Sequence, residues 1–157
     1  MVPPVVVCAG MVVTFGTAPS FFVLELQDEI LGVTGFEDAF DDYLGFLAPR
    51  LEEARRVLTE TGSLLVHLDP REVHHVKVFL DGLFGREHFQ NEIVWAYDYG
   101  ARSKRRWSQK HQSILWYTRH RRHWTFRHDD VDRIPYMAPG LAGREKAARG
   151  KTPTDVW

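Results

Sequence analysis

From residue 100 to residue 111 the chain reads Gly-Ala-Arg-Ser-Lys-Arg-Arg-Trp-Ser-Gln-Lys-His. Arg102, Lys104, Arg105, Arg106 and Lys110 place five cations here with no acid among them, and Trp107 and His111 lie beside them. Cationic side chains neutralise phosphates and an exposed indole stacks on a base, so the segment suits contact with nucleic acid. The plainer alternative is a solvated basic loop, although a loop without an acid offers its cations no internal partner. Arg119, Arg121 and Arg122 either extend the same face or form a charged turn. Asp69 is the other candidate: it follows a short apolar run, at the strand end where open α/β sheets bind ligands. It either lines a ligand crevice or only caps the next helix, and its spacing to Glu72 already explains a cap. His67, His74 and His75 do not make a recognised metal-ligand spacing, because helix neighbours diverge by about 100°. No metal is expected.

These groups need elements to hold them. Tyr43, Leu47, Leu51, Ala54 and Leu58 recur at four, four, three and four, one face of a helix that Asp42 can cap. Pro49 inside it predicts a kink or a restart, and Gly62 a stop. Residues 63–69 form a short, largely apolar strand. Asp69-Pro70-Arg71-Glu72 then reads as a helix start, with Pro at the first helical position and a capping box closed by Glu72. Val73, Val76, Leu80 and Leu83 are the buried stripe of that helix, and Gly85 ends it. Residues 92–97 and 113–117 read as two further strands, 124–126 as a possible third, and 144–148 as a brief helix. Helix and strand in alternation predict an α/β layered fold with a mostly parallel sheet.

Composition sets the frame. The chain has 157 residues, enough for one domain, and 44% of them are hydrophobic, which excludes disorder as a whole. A single cysteine, Cys8, excludes an internal disulfide framework. The net charge of −1 hides a segregation. Residues 100–128 carry nine Lys/Arg, four His and no acid, whereas residues 21–98 carry 16 Asp/Glu against six Lys/Arg. An acidic body with one basic, aromatic segment points to an anionic partner for that segment. Residues 1–24 contain no charge, but Pro3, Pro4, Gly10, Gly16 and Pro19 interrupt them and no basic stretch precedes them. No membrane role is therefore expected, and the location expected is the cytoplasm. The segment reads as strands at 5–7 and 11–15, or as a stretch foreign to the domain.

Several runs, in order, carry a resemblance. They are Phe36-Glu37-Asp38-Ala39-Phe40-Asp41-Asp42-Tyr43, Arg55-Arg56-Val57-Leu58 and Thr61-Gly62-Ser63-Leu64-Leu65-Val66-His67-Leu68-Asp69. Glu72-Val73-His74-His75-Val76-Lys77, Leu80-Asp81-Gly82-Leu83-Phe84-Gly85-Arg86-Glu87 and Phe89-Gln90-Asn91-Glu92-Ile93-Val94-Trp95 continue it. Lys110-His111-Gln112-Ser113-Ile114-Leu115-Trp116-Tyr117 and residues 152–157 close it. Together they resemble the amino-methylating DNA methyltransferases of the adenine-N6/cytosine-N4 type, in the branch whose catalytic motif precedes its cofactor motif.

The resemblance implies a Rossmann-like, S-adenosylmethionine-dependent methyltransferase fold, here incomplete, acting on double-stranded DNA in a restriction-modification setting. The reaction it implies is methyl transfer from S-adenosylmethionine to the amino group of adenine, with cytosine second. In the family an Asp-Pro-Pro-aromatic tetrapeptide holds the target amino group and stacks on the flipped base. This sequence has none: Val2-Pro3-Pro4-Val5 lacks both the polar and the aromatic residue. The family's Phe-x-Gly-x-Gly cofactor loop is also absent and belongs after Trp157. No catalytic residue is assigned, therefore, and Asp69 alone is a candidate toward the cofactor. Residues 1–35 are expected to be a divergent apolar segment, and 36–157 the central part of a methyltransferase domain with 100–128 facing DNA. Such a chain is expected to be a fragment inert alone, a non-catalytic DNA-binding module, or one half of a split enzyme completed by a second chain.

Overall fold

In a computed structural model the chain is described over residues 42–157 and over two strands before them, β1 (Val6–Val7) and β2 (Phe21–Glu25). The expected strand at 11–15 lies outside the described residues. Helix α1 (Tyr43–Val57) begins where Asp42 accepts the Gly45 N–H at 2.8 Å, a cap of the kind that contributes about 1 kcal/mol. A Cβ at Gly45 would sit 2.1 Å from the Asp42 carboxylate, so a larger residue there would push the capping side chain aside. The helix runs through Pro49 as one element and stops at Leu58, ahead of Gly62. Pro49 is exposed. The carbonyl it leaves unpaired therefore has water within reach.

Strand β3 (Ser63–Leu68) is buried on both faces, which explains its continuous apolar reading. Asp69 caps the turn that follows, as expected: its Oδ1 accepts the Arg71 N–H at 2.7 Å and its carbonyl accepts the Val73 N–H at 3.1 Å. Helix α2 (Val73–Phe84) begins three residues later than the Pro70 signal suggests, with Glu72 flanking it and making no side-chain cap. Gly85, at φ 95°, ends α2 as expected.

Strands β4 (Phe89–Ala96) and β5 (His111–Thr118) then complete a five-stranded sheet in the order β1-β2-β3-β5-β4. The α/β class is as expected, but the sheet is mixed. β1, β2 and β3 are parallel, whereas β5 is antiparallel to both β3 and β4. The reason is the connection: a parallel step needs a crossover, usually helical, and the 14 residues between β4 and β5 form a loop that returns the chain antiparallel. Along the outer side of β4 the chain's last residues add a parallel rung. Val94 donates to Asp155 at 2.7 Å, Trp157 to Val94 at 2.9 Å, and Ala96 to Trp157 at 2.8 Å. These bonds satisfy part of an edge that would otherwise template aggregation.

Leu47, Leu51, Ala54 and Leu58 from α1 and Val73, Val76, Leu80 and Phe84 from α2 pack on one face of the sheet, over Leu64, Val66, Leu68, Leu115 and Tyr117. Residues 124–126 form no strand; Phe126 instead lies against Trp116, ring centroids 5.5 Å apart. Helix α3 (Pro139–Ala142) precedes α4 (Arg144–Arg149), which matches the brief helix expected there. Among the described residues no helix is long and apolar enough to cross a membrane.

Candidate nucleic-acid interface

Register decides which groups share an edge of the sheet. Leu68 pairs with Ser113, and Ala96 with His111, so the carboxyl end of β3, the end of β4 and the start of β5 lie together. Asp69 and the whole loop 97–110 therefore occupy the edge at which open α/β sheets bind ligands. His111 opens β5 there, half-buried.

The loop is built, not slack. The Tyr97 N–H donates to the Lys110 carbonyl at 2.9 Å, one rung beyond the β4–β5 ladder. The Tyr97 and Tyr99 rings lie tilted against each other, centroids 4.8 Å apart, Gly100 turns the chain at φ 84°, and Lys110 Nζ donates to the Tyr99 carbonyl. Ser108 Oγ accepts the Ser103 N–H at 2.8 Å and Ser103 Oγ accepts the Arg105 N–H at 3.2 Å, which ties the tip into a turn.

The cations divide into two groups on this frame. Arg102 pairs with Asp98, a carboxylate just outside the basic run, so the expectation that the loop's cations lack any acidic partner is corrected at that position. The pair is exposed and so of small net value. Lys110 is tied to the backbone. Lys104, Arg105 and Arg106 are exposed and have no ion pair among the described residues. Trp107 beside them is 98% exposed. An indole fully in water next to three free cations has apolar area to bury and charge to neutralise, and phosphates flanking a base offer both.

Asp69 is less available. Arg71 donates to Oδ2 through Nε at 2.8 Å and also through Nη2, while its backbone N–H holds Oδ1. Partial burial pushes this carboxyl up, but the Arg71 hydrogen bonds and charge outweigh it and hold it below the usual aspartate value. His67 is buried against Trp95, rings 5.3 Å apart, while His74 and His75 are exposed on α2. Among the described residues no three His, Cys, Asp or Glu side chains come together as a metal site.

The second basic run goes elsewhere. Thr118 pairs with Ser63, so residues 119–123 leave β5 at the opposite edge of the sheet. They are a charged turn there and do not extend the loop's face. One polar cluster was not foreseen. Tyr117, Lys77 and Asp81 meet between β5 and α2, with Tyr117 Oη donating to Asp81 Oδ1 at 2.7 Å and Lys77 Nζ to the same oxygen at 2.7 Å. The i,i+4 spacing of Lys77 and Asp81 was the available signal.

Residues 27–157 match the family profile described as DNA methylase. The chain belongs to that family. Among curated relatives, the type II methyltransferase M.HpaI of Haemophilus parainfluenzae is 29% identical over 126 residues, 80% of this chain and 38% of that protein. The type II methyltransferase M.KpnI of Klebsiella pneumoniae is 33% identical over 78 residues, 49% of this chain and 19% of that protein. The crystal structure of the M1.HpyAVI–SAM complex aligns with a TM-score of 0.42 and 16% identity, over 74% of this chain and 62% of that one. This DNA methylase chain thus spans well under half the length of these two curated relatives. Within the matched residues lie β3, β4, β5 and the loop that carries the free cations.

Proposed function

We propose that this chain supplies the DNA-facing central part of an amino-methylating DNA methyltransferase of a restriction-modification system, acting on adenine in double-stranded DNA. The observation that carries this reading is the loop 97–110, which sets Lys104, Arg105, Arg106 and Trp107 free on the ligand-binding edge of the sheet. The loop grips the duplex backbone through its cations, and Trp107 stacks on a base displaced from the helix. Extrusion costs a few kcal/mol, and these interactions offset it.

S-adenosylmethionine is the methyl donor the family uses. The described residues at this edge do not by themselves make its site. The two carboxylates there are already engaged, Asp69 by Arg71 at both oxygens and Asp98 by Arg102, and the groups left free at this edge are cations that repel a sulfonium. The sequence also carries neither an Asp-Pro-Pro-aromatic tetrapeptide nor a Phe-x-Gly-x-Gly loop. These residues are therefore read as binding duplex without by themselves transferring a methyl group.

Titration of the full chain with a 30-base-pair duplex across 50–200 mM salt tests the interface. Arg105→Ala with Arg106→Ala is expected to flatten the plot of log affinity against log salt by about 1.8, at ~0.9 for each phosphate no longer neutralised. An unchanged slope removes the loop from the interface. Labelled methyl transfer by the chain alone would show that the reacting groups are present after all.

A further inference from the structure

The turn at residues 119–123 is as firmly built as the loop. The Arg119 N–H donates to the Gly62 carbonyl at 2.8 Å, and the Thr125 N–H to the Thr61 carbonyl at 3.0 Å. Arg119 Nη1 also donates to the Arg55 carbonyl at 3.2 Å, which ties the turn to the end of α1. His120 Nδ1 accepts the backbone N–H groups of Arg122 and His123, both at 3.2 Å, and its ring stacks on that of His123 at 4.8 Å. Thr118 Oγ1 closes the base by donating to the His120 carbonyl at 3.1 Å.

This frame leaves Arg121 and Arg122 exposed and without an ion pair among the described residues. No acid occurs between Thr118 and His128. The next two carboxylates already have cations of their own, Asp129 facing His128 and Arg133, and Asp130 facing Arg127. Two free guanidiniums on a pinned turn form a preorganised phosphate fork, since arginine meets phosphate oxygens through two parallel N–H groups.

We propose that this turn is a second duplex-binding surface, gripping the DNA backbone apart from the loop 97–110. β5 separates the two by eight residues, about 26 Å at 3.3 Å per residue. That distance corresponds to roughly eight base pairs at about 3.4 Å each, so a duplex reaching both surfaces is longer than one reaching either. The proposal rests on the reading that DNA is the chain's polyanion, and it adds a grip on the far side of the sheet.

The test uses the full chain, a 30-base-pair duplex and the same salt range. Arg121→Ala with Arg122→Ala is expected to flatten the slope by about 1.8 at ~0.9 per phosphate, and to add to the flattening from Arg105→Ala with Arg106→Ala. Arg121→Lys with Arg122→Lys, which keeps the charge, is expected to restore the slope. Thermal melts matching the parent chain show that the variants fold. A slope unchanged by the Arg121/Arg122 pair overturns the proposal and leaves the loop reading intact. A slope that falls with this pair but not with the Arg105/Arg106 pair upholds the turn and sinks the loop. Displacement from the turn by polyglutamate as readily as by duplex assigns the surface to an acidic protein, and that also overturns it.

Discussion

Replacing Asp81 with alanine is expected to lower folding stability by about 2–3 kcal/mol, read from the midpoint of urea unfolding. Oδ1 of Asp81 accepts from both the Tyr117 hydroxyl and Lys77 Nζ, each at 2.7 Å. Tyr117 is fully buried in the core, and its only other acceptor among the described residues is the Lys77 carbonyl at 3.3 Å. Truncation therefore leaves a phenol hydroxyl in the interior with one long bond. Lys77, three-quarters shielded, keeps the face of Phe89 at 4.1 Å. Orphaning a buried donor costs about 1–3 kcal/mol, and removing one member of a shielded ion pair adds to it. Arg86, 3.7 Å from Oδ2 but largely in water, adds little.

The same cluster sets a pH signature that a generic cavity would not. Burial, then the hydrogen bond and charge of Asp81, pushes the Tyr117 phenol far above its ordinary value. Its unfolded form still titrates near pH 10, so its contribution is whole below about pH 10 and is lost above it, as the unfolded state releases a proton that the fold retains. Tyr117→Phe is expected to remove that alkaline decline. Asp81 has the opposite sign. Burial raises its carboxyl, but bonds and charge from Lys77, Tyr117 and Arg86 outweigh burial and hold it below the ordinary value. Its contribution is present above about pH 4 and fades below it, and Asp81→Asn is expected to flatten that acid limb. Urea midpoints across both limbs measure the two effects separately.

Much of this architecture can be read from residue spacing, and the departures have definite causes. The four-four-three-four spacing from Tyr43 to Leu58 and the stripe Val73, Val76, Leu80 and Leu83 mark α1 and α2, because burial against a sheet imposes a 3.6-residue period, although Phe84 and not Leu83 is the last buried member. The strands follow from their apolar runs, but their direction does not. Direction depends on what joins them, and the 14 residues between β4 and β5 carry no helical pattern that would make a crossover. Asp69 is legible as a cap, which it makes through the Arg71 N–H, but not as the partner of the Arg71 guanidinium, which occupies its other oxygen. The basic segment looks continuous as a string, yet an eight-residue strand in its middle divides it between opposite edges of the sheet. Charge counting over a window is blind to that division. Asp98, two residues before the window opens, escapes the count for the same reason.

Strand β5 is consequently the element on which both basic surfaces depend, and Leu115 at its middle is where that dependence can be measured. Leu115 is 1% exposed, pairs in register with Val66, and faces the α1–α2 layer. Leu115→Ala is expected to cost about 3 kcal/mol, within the roughly 2–5 kcal/mol usual for such deletions, because the surrounding helices collapse only partly onto the void. For a chain of this size that is a fall of roughly 6–12 °C in the thermal midpoint. The salt slope for duplex binding, measured well below that midpoint, is expected to stay at the parent value, since every phosphate-binding side chain is still in place. The Arg105/Arg106 and Arg121/Arg122 variants are expected to behave in reverse, losing slope while their melts stay put. A Leu115→Ala chain that folds yet loses slope would mean that the two edges are held by strain through β5 and not by their own local hydrogen bonds.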